Sequence, residues 1–324
     1  MSLLQISELR TTYRSRRGQG PLCAVDGVSF TLERGESLGL VGESGSGKTT
    51  TCLSIVGLLP SSAQVTSGSI QFDGQELRGL SAARMNEVRG RRIGMILQDP
   101  MASLNPLLTV ADQVGEPAYY HLGQRGATLK SHVLSLLDSV RIPSPEVRMA
   151  EFPHQMSGGM RQRVVGAIAL SAGPELIIAD EPTTNLDVTI QAQYLSLLKD
   201  LQRRTGVALL FVTHNLGIVA RMCDRVAVMY AGRIVEQGPV RELFRAPRHP
   251  YTQALLSSVP QLGSKEPLYA IPGQPPDLAE LPGGCSFHPR CPHAWDRCRA
   301  EEPAETLASA GHRARCFLVG VDPA

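Results

Sequence analysis

Apolar residues alternate with polar ones over residues 3–13 and 24–32, a period of two that predicts strands with one buried face. Residues 37–41, SLGLV, are continuously apolar after the first position, as suits a parallel strand covered on both sides. Residues 50–59 read as an apolar helix stopped by Pro60, and 69–72 as a further strand before the turn Asp73-Gly74. The strands at 3–13, 24–32 and 69–72 are expected to join in an antiparallel sheet. An apolar strand near 93–97 precedes a mainly helical stretch from about 107 to 150, with its best helical period at Leu129, Val133, Leu134, Leu136, Leu137 and Val140. After the apolar run 164–172 come a strand at 176–179, a helix to Gly206 and a strand at 207–213. Apolar strands alternating with helices place the chain in the α/β class. Beyond about residue 245 the pattern fails. Pro247, Pro250, Pro260, Pro267, Pro272, Pro275, Pro276 and Pro282 exclude a long helix and predict a loop-rich appendage.

At 324 residues and 42% hydrophobic content, the chain has room for one large or two moderate domains with a substantial core. The net charge of +2 comes from interspersed acids and bases, so bulk electrostatics predict no nucleic-acid partner; Arg14, Arg16 and Arg17 read as a solvated loop. No apolar run approaches the ~18 residues of a membrane span. With Glu8 early and no continuous apolar core, the N-terminus does not read as a secretory signal. The expectation is a cytosolic protein with reduced thiols.

The candidate chemistry centres on residues 42–50, GESGSGKTT. Gly42, Gly47, Lys48 and Thr49 fill the phosphate-loop pattern of Gly, four residues, Gly, Lys, then Ser or Thr. Glycines let the backbone N–H groups of Glu43, Ser44, Gly45, Ser46 and their neighbours wrap a polyphosphate. Lys48 supplies a point charge, Thr49 a hydroxyl for a magnesium ion, and the helix through Thr50 its positive dipole end. The strand before the loop and the helix after it stand in the order this motif requires. Tyr13, ending the first strand, offers a ring that could stack on a base. Gln98 ends another strand with an amide able to bind a magnesium-coordinated oxygen and hold a water. Ser157, Gly158 and Gly159 cap a helix and leave its first N–H groups open to phosphate. Asp180 and Glu181 follow an apolar strand, one suited to magnesium and the other to polarising water. His214 stands at the end of the strand 207–213, where it could meet a terminal phosphate.

In this order the glycine loop, Gln98, SGG, Asp180-Glu181, Asp187 and His214 resemble the ATPase domain of ABC proteins over residues 3 to about 245. The resemblance implies an ABC-type P-loop ATPase with an antiparallel β subdomain, a helical subdomain inserted at about 99–172, and a loop-rich C-terminal extension over 246–324. It implies a head-to-tail dimer in which Ser157, Gly158, Gly159 and Asp187 serve the partner's ATP. It also makes Tyr13 the adenine-stacking ring, Glu181 the catalytic base and His214 the switch beside the γ-phosphate. Magnesium falls to Thr49, Gln98 and Asp180.

QDPMASLNP, the signature SGGMRQR with Met160, ADEPTTNLDVT, RHPYT at 248–252 and the tail IPGQPP resemble the dipeptide, oligopeptide and nickel importer ATPases. Asn185 and Asn215 depart from that branch, which more often carries alanine and aspartate there. The branch implies a peripheral subunit on the cytoplasmic face of the inner or plasma membrane. It also implies a second ATPase subunit, more often a different chain than a copy, two permease subunits and an extracytoplasmic solute-binding protein. A soluble ABC ATPase of DNA repair or translation is the alternative, against which no long coiled coil or second cassette is seen. A metal-bearing regulator with a degenerate ATPase is a third reading, opposed by the intact Glu181 and His214. Dipeptides, longer peptides, glutathione and nickel chelates all stay open as cargo.

Cys285, Cys291, Cys298 and Cys316 are gathered in the extension at intervals of five, six and seventeen residues, whereas Cys23, Cys52 and Cys223 are scattered and read as buried packing. A shared metal centre would fix a segment with little core. The spacing lacks the close pairs usual for structural zinc, and four thiolates equally suit an iron-sulfur cluster. The resemblance implies a four-iron, four-sulfur cluster when all four cysteines are present. Zinc and unligated thiols are the alternatives.

Overall fold

The computed structural model describes residues 2–14, 20–184, 186–259 and 269–319. Arg16, Arg17, Asn185, Pro260 and Pro267, singled out above, lie outside them. Two compact units divide the chain: Met1–Leu32, Ser37–Arg78 and Thr213–Ala324 form one, and Glu33–Glu36 with Gly79–Val212 the other.

In chain order the first unit opens with β1 (Leu4–Tyr13), β2 (Leu22–Leu32), β3 (Ser37–Val41), α1 (Lys48–Ile55), β4 (Ala63–Phe72) and β5 (Gln75–Glu76). The second contributes α2 (Ala82–Val88), β6 (Ile93–Ile96), α3 (Pro100–Ser103), α4 (Val110–Leu122) and α5 (Gly126–Ser139). It continues with α6 (Pro145–Arg148), α7 (Gly158–Leu170), β7 (Leu176–Asp180), α8 (Val188–Thr205) and β8 (Ala208–Thr213). The chain then returns to the first unit through α9 (Leu216–Met222), β9 (Arg225–Tyr230), β10 (Arg233–Pro239), α10 (Val240–Arg245) and α11 (Pro250–Ser257). It ends with α12 (Asp296–Ala300), β11 (Thr306–Ser309) and β12 (His312–Ala314).

In the first unit the expected antiparallel sheet has the order β2-β1-β4-β5. Its strand β4 begins at Ala63, earlier than the apolar signal at 69, because residues before it pair with β1 through Gln64 and Val65 while exposing much of their surface. Helix α1 stops at Ile55 and not near residue 59, since Gly57 takes φ 61°, a left-handed conformation that ends helices. Strand β3 is buried throughout and runs parallel to β9, which pairs with β10, then β12 and β11.

In the second unit β6, β7 and β8 pair in parallel, and the last two are buried at every residue. Their continuous apolar runs thus have the two-sided burial expected of parallel strands. Helices α4, α5 and α6 fall within the expected helical stretch at about 107–150. Thr109 and Asp112 cap α4 reciprocally, and Gly123 in the left-handed conformation closes it.

The extension holds only short helices and strands among its described residues. It packs into an aromatic cluster that the composition did not show: Tyr230 of β9 with Tyr251 and Phe287 of the extension are almost fully buried, with ring centroids 4.6 to 5.4 Å apart. Cys52 and Cys223 are buried as expected. Cys23 is only half-buried, and its thiol donates to the Val25 carbonyl at 3.3 Å.

Candidate functional site

The loop between β3 and α1 turns tightly around its own lysine. Lys48, 5% exposed, sends Nζ back to the carbonyls of Gly42 and Glu43, both at 2.8 Å, and to Ser46 Oγ at 3.3 Å. Glycine is demanded at both ends. A Cβ on Gly42 would stand 2.2 Å from the Met229 carbonyl oxygen, and one on Gly47, where φ is +101°, 2.4 Å from that of Ala24. The loop's N–H groups and the start of α1 therefore form a concave donor surface of the kind that receives phosphate. Thr49 is exposed in the first turn of α1, and Tyr13 stands beside it, its hydroxyl 3.3 Å from Thr50 Oγ1. His214 is exposed just past β8 in the same unit.

The second unit gathers the other candidates. Asp180 ends β7 and is 2% exposed. Glu181 follows with φ 45°, a conformation costly for a side chain of its size and common at functional sites. Its N–H donates to the Val212 carbonyl at 2.9 Å, and its Oε2 accepts from Thr184 Oγ1 at 2.7 Å and Gln98 Nε2 at 3.4 Å. Glu181 and Gln98 are thus direct neighbours. Ser157 caps α7 and accepts from the Met160 N–H, while Asp187 caps α8 and accepts from Thr189 and Ile190, each at 3.0 Å. The two helix starts touch: a Cβ on Gly159 would lie 2.8 Å from Ile190 Cγ2. The SGG segment and Asp187 are therefore assembled together.

In the extension Cys285, Cys291, Cys298 and Cys316 line one small cavity, together with His288 and His293. Burial pushes the thiols of Cys285, Cys291 and Cys316 up, Cys316 to about 12, and the other cysteines' charge adds to it. Four thiolates there would need a cationic group to hold them. Among the described residues, no three His, Cys, Asp or Glu side chains stand close enough to hold a single metal ion.

Residues 25–184 match the family described as ABC transporter, and 235–298 the oligopeptide/dipeptide transporter, C-terminal region. The dipeptide transport ATP-binding protein DppD of Bacillus subtilis is 50% identical over 92% of this chain and 90% of its own length. The oligopeptide transport ATP-binding protein OppD of Salmonella typhimurium is 46% identical over 97% and 93%. A dimeric ATP-binding cassette solved in a post-hydrolysis state with ADP and Pi superposes with a TM-score of 0.65 at 27% identity. That match covers 74% of this chain and 99% of the cassette. Among the described residues no helix is long and apolar enough to cross a membrane.

Proposed function

The chain belongs to the ABC transporter family, in its oligopeptide/dipeptide branch, and from this premise we propose how its residues work. It is the ATP-hydrolysing subunit of a peptide importer, with permease partners and a solute-binding protein in the full system. The DNA-repair and translation alternative is set aside, because the similarity to peptide transport ATPases runs nearly end to end. That end-to-end match, C-terminal region included, is the observation that carries the reading.

In this reading residues 1–245, with the helical insertion at about 99–172, form the ATPase domain, and 246–324 the extension. Loop amides of residues 42–50 and Lys48 bind the phosphates, and Tyr13 receives the adenine. Thr49, Gln98 and Asp180 would hold magnesium, which neutralises charge on the phosphate oxygens. Glu181 takes a proton from the attacking water as the terminal phosphate leaves, yielding ADP and phosphate. The Thr184 and Gln98 contacts support that role, because they fix the carboxylate in place. His214 orients the terminal phosphate. Ser157, Gly158, Gly159 and Asp187 close the site of a second, non-identical ATPase subunit at the cytoplasmic membrane face. Cys285, Cys291, Cys298 and Cys316 would hold a four-iron, four-sulfur cluster, which would pin the extension.

The test is Glu181→Gln in the assembled transporter. Magnesium-ATP still binds, while turnover falls roughly a thousandfold, near 4 kcal/mol of barrier. Near-normal turnover with both ATPase subunits accounted for removes Glu181 from the role.

A further inference from the structure

Glu43, the second residue of the loop, is gripped at three points. Its carboxylate takes two bonds from the Arg290 guanidinium, Nη1 to Oε2 at 2.8 Å and Nη2 to Oε1 at 3.1 Å. Its N–H donates to the Tyr251 hydroxyl at 2.9 Å, and its carbonyl is one of those that hold Lys48 Nζ. Two of the three grips come from beyond residue 245. Both partners are themselves fixed. The Arg290 side chain is 4% exposed, with Nε on the Pro272 carbonyl at 2.9 Å and Nη1 3.4 Å from the Tyr230 hydroxyl. Tyr251 is fully buried among Tyr230 and Phe287. Pro275, Pro276 and Leu278 line one cavity with Glu43, Ser44, Gly45 and Ser46, so the extension also lies beside the loop's outer edge.

We propose that Arg290 and Tyr251 are positioning residues for nucleotide binding, bracing the phosphate loop through Glu43 in the form that receives phosphate. A glycine-rich loop loses much conformational freedom when it closes on an anion, and a brace that restricts it beforehand leaves less to lose. A two-pronged guanidinium–carboxylate pair fixes both direction and distance, which a single lysine cannot do. The carbonyl that orients Lys48 belongs to the same residue whose amide and carboxylate are held. Movement of Glu43 therefore displaces the lysine's own support. The inference rests on reading residues 42–50 as the phosphate loop.

The experiment uses the full chain, with a fluorescent ATP analogue for affinity and amide hydrogen exchange for the loop. Arg290→Gln raises Kd about tenfold and Tyr251→Phe about threefold, the equivalent of about 1.4 and 0.6 kcal/mol. Exchange quickens at residues 43–48 and stays unchanged in α2. Arg290→Lys, which keeps the charge but not the fork, fails to restore Kd. In the assembled transporter most of the Arg290→Gln effect falls on KM for ATP and little on kcat. Should Arg290→Gln melt the protein, Tyr251→Phe decides alone, since the ring's packing is retained. Wild-type Kd and loop exchange in Tyr251→Phe and in a folded Arg290→Gln overturn the brace. Lys48→Ala separates the two readings: if it alone loses binding, only the brace is wrong, and if it binds as wild type, the phosphate-loop assignment falls first.

Discussion

The loop at residues 42–50 and the extension at 269–319 reach order by opposite routes. The loop makes its turn locally: Lys48 folds onto carbonyls five and six residues away and glycines permit the turn, with Glu43 held in addition by Tyr251 and Arg290. The extension's anchors cross long stretches of chain, from Arg290 to Glu43 and from His312 to Glu236. Between them lie prolines and surface polar groups that supply little core. A motif written in adjacent residues makes its turn from its own bonds, even where an outside brace tunes it. A segment hung on a few distant contacts stands or falls with those contacts.

The sharpest way to break this contrast is at Lys48. Lys48→Ala should weaken ATP binding by a hundredfold or more, about 2.7 kcal/mol, while the melting midpoint without nucleotide changes little. A large fall in that midpoint instead would make the loop's order depend on the lysine for folding as much as for binding.

Acid should strike the extension's anchors. His249, 1% exposed at the start of α11, is held down to about 4 from 6.5 by burial, against the opposing pull of Glu236. Its Nδ1 accepts from the Tyr251 backbone N–H at 3.0 Å, and its backbone N–H donates to Glu236 Oε2 at 2.9 Å. Glu236 also accepts from His312 Nε2 and the Arg248 N–H, both at 2.7 Å. The folded state keeps His249 neutral while the unfolded chain binds a proton below 6.5. Its contribution is therefore full above pH 6.5 and is lost as pH falls toward 4, on the order of 3 kcal/mol. Urea unfolding across that window should show the slope, and His249→Asn, which keeps a capping side chain, should flatten it.

The smallest effect belongs to the extension's surface. Arg299 pairs with Asp296 at 2.7 Å, but the two side chains are 59% and 100% exposed. Arg299→Ala should leave the melting midpoint unchanged, because such pairs gain little against solvent and side-chain entropy. A clear drop would mean that the extension depends on more than its buried anchors.

The same division governs what the sequence disclosed. The β3-loop-α1 unit was legible because its chemistry and its geometry occupy the same few residues. Strands β7 and β8 were legible because parallel strands buried on both faces leave an unbroken apolar run. The start of β4 was not, since an exposed strand writes no apolar pattern. The aromatic cluster of Tyr230, Tyr251 and Phe287 was missed because its members lie far apart in sequence and share no period. The Arg290–Glu43 pair left no signal beyond the opposite charges of two residues among many. The confinement of four cysteines to one segment was readable, and the structure lines one cavity with all four.

The 247-residue separation between Glu43 and Arg290 also has a meaning in time. A chain made from its N-terminus at roughly 5–20 residues per second presents Glu43 about 12–50 s before Arg290 appears. Throughout that interval the nascent loop has its glycines and its lysine but lacks its guanidinium partner. The order of synthesis thus leaves this brace among the last contacts to form.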